Sequence, residues 1–505
     1  MISLGCAKNL VDAEIMLGTL LRDGIEVTND PRQADVMIVN TCSFIESAQE
    51  ESVDAILESA KVREAQQRGQ ALVVAGCMPQ RFGEQLPRLM PEVDAFMGID
   101  QVPRITQIIR QAALHREQRL ASTPCTQTAP ASASRVRQSP GKDQPPLYQV
   151  TARPVYIPDY ATPRFRLTPK HFAYVKIAEG CNHPCSFCAI PRIRGGYRSR
   201  PQADLVQEAR QLLSEGVKEL NLISQDTTYY GRDFRRHQSA PAATVKLANP
   251  TTLSTLLRAL NGLRGDFWIR LLYTHPAHWT DELIRTLADC PKVVRYIDLP
   301  LQHIHSVMLE RMRRETTTEQ ILELLAKIRA GLPGVTLRTT LIVGFPGETE
   351  ARFQALLDFV KSAQFERLGV FAYSPEDGTR AAKMAHPVPD KIKQRRRDIL
   401  MQTQRLISRA HGAKQIGRTL RVLVEKEAQA QELQQAQVSS WEHGLVREPD
   451  RTRVKLTGRY FVARGAGDAP DIDGRVYVRG RLTPGEFVQI KVAGHTDYDL
   501  LAVPA

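Results

Sequence analysis

At 505 residues the chain is too long for one hydrophobic core, since single domains hold about 100–200 residues, and two to four domains are expected. A hydrophobic content of 42% with no run of about 20 apolar residues excludes a transmembrane span, and the first residues carry no secretory or transit pattern, so a soluble cytoplasmic protein is expected. The net charge of +13 favours a phosphate-rich partner such as RNA or a ribosome, and eight cysteines without a signal peptide read as reduced metal ligands rather than disulfides.

Residues 1–105 alternate short apolar runs, at 2–4, 36–40, 71–75 and 93–97, with amphipathic stretches. That rhythm predicts an open parallel sheet flanked by helices. The chain begins five residues before Cys6, so the first strand is expected to be clipped. Residues 106–168 are rich in Ala, Ser, Pro, Gln and Thr and are expected to form a flexible linker. From 169 to 410, apolar segments recur at 172–178, 219–224, 267–273, 293–301, 336–343 and 367–373, most of them followed by a helical pattern. Six βα units of this kind make an open or partial barrel. A polar insertion at 231–250 reads as a surface loop. A basic, helix-prone connector (Lys391, Lys393, Arg395, Arg396, Arg397) leads into residues 411–505. There, short alternating strands with Gly and Pro turns predict a small β-barrel of the oligonucleotide-binding type, interrupted by a Gln- and Glu-rich insertion at 427–450. The fold class expected is α/β multidomain.

The strongest chemical signal is Gly180-Cys181-Asn182-His183-Pro184-Cys185-Ser186-Phe187-Cys188, directly after a predicted strand. Three thiolates in one tight loop hold three irons of a cubane and leave the fourth open. An open iron binds the amino and carboxylate groups of S-adenosylmethionine, and an electron from the cluster breaks its carbon–sulfur bond to give a 5′-deoxyadenosyl radical. Zinc, held by Cys181, Cys185, Cys188 and His183, is the alternative. The place of the loop at the carboxyl end of a barrel strand, where such barrels keep their chemistry, favours the cluster.

A second set is dispersed: Cys6 in Ser3-Leu4-Gly5-Cys6, Cys42 in Asn40-Thr41-Cys42, and Cys77 in Gly76-Cys77-Met78-Pro79. Each follows an apolar strand, and in an open parallel sheet the carboxyl ends of strands share one edge, so the three thiols are expected to converge. Ordinary buried cysteines are the alternative. Cys125 and Cys290 are expected to be unliganded.

These four motifs together resemble the methylthiotransferases of the radical S-adenosylmethionine superfamily. The resemblance implies an N-terminal cluster domain, a central radical barrel and a C-terminal TRAM domain. It also implies two [4Fe-4S] clusters, one on Cys181, Cys185 and Cys188 and an auxiliary one on Cys6, Cys42 and Cys77, with S-adenosylmethionine as both methyl donor and radical source. Residues 3–14, 171–200, Ser224-Gln225-Asp226-Thr227, Pro300-Leu301-Gln302-His303 and 338–349 are most similar to the branch that modifies the β-carbon of an aspartate in protein S-twelve of the small ribosomal subunit. A reductant such as flavodoxin or ferredoxin and a sulfur donor are the further partners implied, with RNA contact through the TRAM domain. The acidic segment at 468–474 suits a basic protein better than a phosphate backbone and argues against the alternative substrate, a tRNA adenosine. A non-enzymatic iron–sulfur or RNA-binding protein is the rival of another class.

The turn Gly344-Phe345-Pro346-Gly347-Glu348-Thr349 ends the fifth barrel strand, and Gly344 and Gly347 are assigned to the S-adenosylmethionine pocket because glycine lets backbone approach a ligand. A plain strand-to-helix turn is the alternative. Gln225, Asp226, Gln302, His303, Arg338 and Thr340 fall at strand ends or inside the barrel, where side chains reach the cavity to bind cofactor or orient the target aspartate; Asp226, Gln302 and Arg338 are taken as cofactor-binding, with packing inside the barrel or support of a loop as the alternative for each. Arg192, Arg194, Arg198 and Arg200 are expected to attract the acidic target or a ribosomal surface, with a solvated charged loop as the alternative.

Overall fold

The computed structural model describes residues 1–121, 145–235, 251–429, 439–440, 445–446 and 458–505. The chain divides into two compact units, Met1–Leu167 with Ala189–Gly196, and Thr168–Cys188 with Tyr197–Ala505. Among the described residues no helix is long and apolar enough to cross a membrane.

The first unit is built on a five-stranded parallel sheet of β1 (Ile2–Ser3), β2 (Val36–Thr41), β3 (Ala71–Gly76), β4 (Ala95–Met97) and β5 (Leu147–Gln149), in that order. Its middle strands are covered on both faces, which is why they read as unbroken apolar runs rather than alternating ones. The helices of this unit are α1 (Ala7–Arg22), α2 (Glu46–Gln66), α3 (Cys77–Phe82), α4 (Leu86–Leu89) and α5 (Ile105–Ala121).

Helix α5, seventeen residues long, corrects the start of the expected linker, whose residues 106–121 are helical rather than flexible chain. Ile105, Ile108, Ile109 and Ala112 recur at helical spacing and are buried, while Arg119 reaches the buried Asp94, which Arg63 also holds at 2.9 Å. The far end of the same segment pairs as β5 against β4. Residues 122–144, Cys125 among them, lie outside the described residues.

The second unit carries six parallel strands in the order β13-β12-β11-β10-β9-β6, an open sheet as the partial barrel requires. They are β6 (Phe172–Lys176), β9 (Glu219–Ile223), β10 (Trp268–Leu271), β11 (Val293–Asp298), β12 (Thr336–Val343) and β13 (Arg367–Ala372), with the short antiparallel pair β7 (Ala178–Glu179) and β8 (Arg198–Ser199) beside them. Four outer helices open on a threonine whose hydroxyl accepts from a backbone N–H of the first turn, at Thr252, Thr280, Thr317 and Thr349.

The tail is a closed barrel of β14 (Thr419–Glu427), β17 (Tyr460–Gly465), β18 (Val476–Arg479), β20 (Leu500–Pro504) and β19 (Phe487–His495). The described part of its insertion is an antiparallel pair, β15 (Ser439–Ser440) with β16 (Leu445–Val446). The helix Asp390–Ala413 runs across the expected boundary at 410 and lies against β12, β13 and β19, so barrel and tail form one unit.

Their junction is ionic and buried. Arg464 of β17 pairs with Glu219 at the start of β9 and with Glu425 of β14, and Arg270 of β10 donates to Glu219 at 2.7 Å and to the Ala466 carbonyl at 2.8 Å. Tyr296 donates to Asp473 at 2.6 Å, and Arg367 pairs with Asp468. The expectation that residues 468–474 present their acidity to a partner is therefore corrected. Asp468 and Asp473 are buried against barrel arginines at the amino ends of the strands. A charge leaves water only when paired, and these two carboxylates have their partners inside the molecule.

Candidate metal centres

The contiguous thiols stand at the carboxyl end of β6, where Gly180 turns the chain with a φ of +78°. The loop is pinned at Ser186, whose N–H donates to the Met312 carbonyl at 3.0 Å and whose hydroxyl donates to the Arg311 carbonyl at 2.8 Å. Arg314, held on the Pro300 carbonyl, donates to Cys185 Sγ at 3.4 Å. Cys181 is buried while Cys185 and Cys188 are half-buried.

Behind them lies a cluster that the sequence reading does not assemble. The Asp226 carboxylate accepts from His183 Nε2 at 2.8 Å and from His278 Nδ1 at 2.7 Å, and its other oxygen accepts from the Thr228 N–H. A carboxylate only accepts, so both imidazole nitrogens carry protons. Burial alone would raise the Asp226 pKa, but the two histidine hydrogen bonds hold it below the usual carboxylate range. Burial likewise opposes a charge on His183, yet its bonds to Asp226 and Glu315 raise its pKa. Stacked on His183 with ring centroids 3.8 Å apart, His275 is kept neutral by burial and by the charge of Arg314. These residues have the spacing of a cation site, but hydrogen bonding accounts for the distances. The sequence offers Asp226 through its motif, whereas nothing local marks His275 and His278.

The dispersed thiols converge as the topology requires. Ser3 is in register with Asn40 and Thr41 with Gly76, so Cys6, Cys42 and Cys77 follow neighbouring strands at one edge of the sheet. A Cβ on Gly5 would come within 2.8 Å of Cys42 Cβ, and one on Gly76 within 2.6 Å of Asn40 Oδ1, both at positive φ. Asn9 ties the edge together, its amide donating to the Leu4 carbonyl at 2.6 Å and the Thr41 carbonyl at 3.1 Å.

Both sets fit an iron–sulfur group by their chemistry. Burial pushes the Cys181 thiol up to about 12 and raises Cys77 as well, so the thiolate form needs compensating positive charge, which bound metal supplies. Beside the Cys181 loop two buried donors, Arg314 Nε and His275 Nε2, lack a hydrogen-bond partner in the protein. Such donors suit an anionic group on the loop.

The other expected site residues divide. Gln302 keeps a half-buried side chain and a φ of +73°, bridging to β12 through its backbone, the kind of strained position that functional sites retain. Arg338 is drawn instead to Asp298 at 2.8 Å and toward Asp473 of the tail, a junction partner rather than a group exposed to a ligand. The space beside Gly344 is filled by Lys393 and that beside Gly347 by Arg311. Glu348 closes the turn, accepting from the Gly344 N–H at 2.6 Å, from Arg396 at 2.8 Å and from His303 at 3.2 Å. These contacts fix the shape of the turn. Arg200 is buried on Glu208 and Arg194 on Asp12, which corrects their expected role as surface attractors; Arg192 is exposed. Cys290 is buried in the barrel core.

Family models match three stretches of the chain. One described as an uncharacterized protein family, UPF0004, covers residues 1–98, the radical SAM superfamily covers 175–360, and the TRAM domain covers 451–504. The chain is 52% identical to the ribosomal protein uS12 methylthiotransferase RimO of Opitutus terrae, over 100% of this chain and 96% of that one. It is 44% identical to the protein of the same name from Akkermansia muciniphila, over 99% and 98% respectively. Among solved structures, the radical S-adenosylmethionine methyltransferase TsrM of Kitasatospora setae matches with a TM-score of 0.45 at 15% identity, over 72% of this chain and 70% of that one. Similar along its whole length to relatives that share one name, the chain belongs to the family of ribosomal protein uS12 methylthiotransferases, RimO.

Proposed function

We propose that this protein transfers a methylthio group to the β-carbon of an aspartate of ribosomal protein uS12, using one S-adenosylmethionine as methyl donor and a second as radical source. The observation that carries the reading is the pair of three-thiol sets, one in a barrel-end loop and one on a sheet edge, each with an arginine on one of its sulfurs, half-buried at Arg314 and buried at Arg194. Three thiolates leave one iron of a [4Fe-4S] cluster open, and such a cluster with S-adenosylmethionine supplies a radical able to take hydrogen from an unactivated carbon.

The chain's own residues would do the rest. Cys181, Cys185 and Cys188 hold the cluster that works with S-adenosylmethionine, and Arg314 orients Cys185. Cys6, Cys42 and Cys77 hold the auxiliary cluster on which the sulfur to be transferred is carried. Asp226 fixes His183 inside the loop, keeping its ring from swinging into the space the substrates need. An external one-electron reductant of the flavodoxin or ferredoxin kind and a sulfur donor complete the system.

The test is to reconstitute the protein anaerobically, supply S-adenosylmethionine, sulfide and reductant, and offer small ribosomal subunits together with tRNA. A gain of one methylthio group on an aspartate of uS12, located by mass spectrometry, is expected. A gain on a tRNA adenosine instead would overturn the substrate while keeping the chemistry.

A further inference from the structure

Residues Ala189–Gly196 follow the Cys181 loop in the chain but belong to the first unit. Their helix α6 (Ile190–Arg194) is fixed there by Ala189 and Ile193, which are buried in an apolar cluster with Cys77 and Ile99. At its end Arg194 is 1% exposed. One nitrogen, Nη2, lies 3.1 Å from Asp12 Oδ2, 3.4 Å from Asn9 Oδ1 and 3.5 Å from Cys77 Sγ. The carboxylate balances the guanidinium, the asparagine is itself pinned by the sheet edge, and the sulfur contact is a charge-assisted hydrogen bond.

We propose that Arg194 is the positioning residue of the auxiliary centre, raising the reduction potential of the iron–sulfur group on Cys6, Cys42 and Cys77 through its hydrogen bond to the Cys77 sulfur. This rests on the reading that those thiols hold a cluster. Adding an electron to a group already bound by three thiolates increases negative charge on its sulfurs, and a buried cationic donor on one of them favours the reduced state. Burial strengthens the effect, since no water screens the charge. The segment that follows the radical loop in the chain, and that belongs to the first unit, thus supplies the tuning group of the other centre.

The experiment uses the full chain with Cys181, Cys185 and Cys188 all replaced by Ala, so that only the auxiliary set can load. After anaerobic reconstitution, iron per chain and the potential of the reduced-cluster electron paramagnetic resonance signal are measured for this parent, for Arg194→Gln and for Arg194→Lys. The glutamine variant is expected to be at least tenfold harder to reduce at fixed potential, which for a one-electron couple is about 59 mV downward. The lysine variant keeps a charge opposite Asp12 but lacks the planar fork that serves carboxylate and sulfur together, so a smaller downward shift is expected. A glutamine variant that loads iron and keeps the parent's potential overturns the proposal. Should that variant lose its iron, the lysine variant decides, with a lowered potential in support and the parent's potential against. A parent that binds no iron instead overturns the two-cluster reading, and this inference with it.

Discussion

The two thiol sets reach the same donor count by opposite routes. Cys181, Cys185 and Cys188 lie within eight consecutive residues of one loop, whose shape depends on side chains and carbonyls that grip it from outside, at Ser186 and Arg314. Cys6, Cys42 and Cys77 are spread over seventy-two residues, and their meeting depends on backbone register and on two glycines at the strand ends. A loop-borne set is local in sequence, but it leans on the barrel end that carries it and on the groups that grip it. A sheet-edge set is only as good as the packing of the strands beneath it. The chemistry proposed for each matches this difference, since one set would admit substrates in turn and the other would hold a sulfur in a fixed place.

The largest break in that comparison is Cys185→Ala. Cleavage of S-adenosylmethionine to 5′-deoxyadenosine should fall below detection, while iron per chain falls by only about half, because the sheet-edge set still loads its own [4Fe-4S] cluster. Liquid chromatography of the nucleoside product and an iron assay measure both. Persistent 5′-deoxyadenosine would sink the assignment of the loop.

This contrast also governs what the sequence discloses. The loop set is readable as a spacing of residues, whereas the sheet-edge set requires a topology first, and it becomes readable because each cysteine directly follows an apolar run. Arg194 and Arg314 are not readable in their roles, since a sequence shows charge and not burial. The same limit misplaces residues 468–474. Three aspartates in seven residues look like a surface until Arg367 and Arg338, more than one hundred positions earlier, turn out to hold Asp468 and Asp473. Helix α5 fails for another reason. Its stripe of Ile105, Ile108, Ile109 and Ala112 has the helical period, but the polar composition around it outweighs four apolar residues.

Removing the junction under the barrel sharpens the comparison next. Arg464→Leu strips a buried cation from Glu219 and Glu425 and should cost about 3–5 kcal/mol, read from the denaturant midpoint of the second unit. It grips β9, which pairs with β6, the strand that leads to the Cys181 loop, so that set should lose iron at a lower temperature while the sheet-edge set keeps it. Equal losses from both would mean that the two sets are not independently supported.

Acid should act on the same junction with a smaller effect. Burial by itself would raise the Glu425 pKa, but the charge and hydrogen bond of Arg464, with His171 3.8 Å away, bring it down to about 2 from 4.5. A depressed carboxylate contributes stability above its unfolded value, and that contribution is lost as pH falls through the folded one. The pair should therefore give up about 3 kcal/mol between roughly pH 4.5 and 2, at 1.36 kcal/mol per unit. Melting temperature followed across that window should fall less steeply in Glu425→Gln than in the parent.

The mildest change tests the sheet edge through backbone alone. Gly76 has a φ of +96° and a ψ of −142°, a region that only glycine enters freely, and its missing side chain leaves room for Asn40 Oδ1 and the Thr41 carbonyl. Gly76→Ala forces either that strain or a shift of β2 against β3, at a cost of about 1–3 kcal/mol. Such a cost would leave the domain folded. It would nonetheless move Cys77, the next residue, relative to Cys42, so iron should be lost from the auxiliary set out of proportion to the drop in stability, with 5′-deoxyadenosine formation retained. An alanine variant that loads both clusters at the parent's level would mean that the edge is soft, and that the metal gathers three thiols that the sheet alone does not hold together.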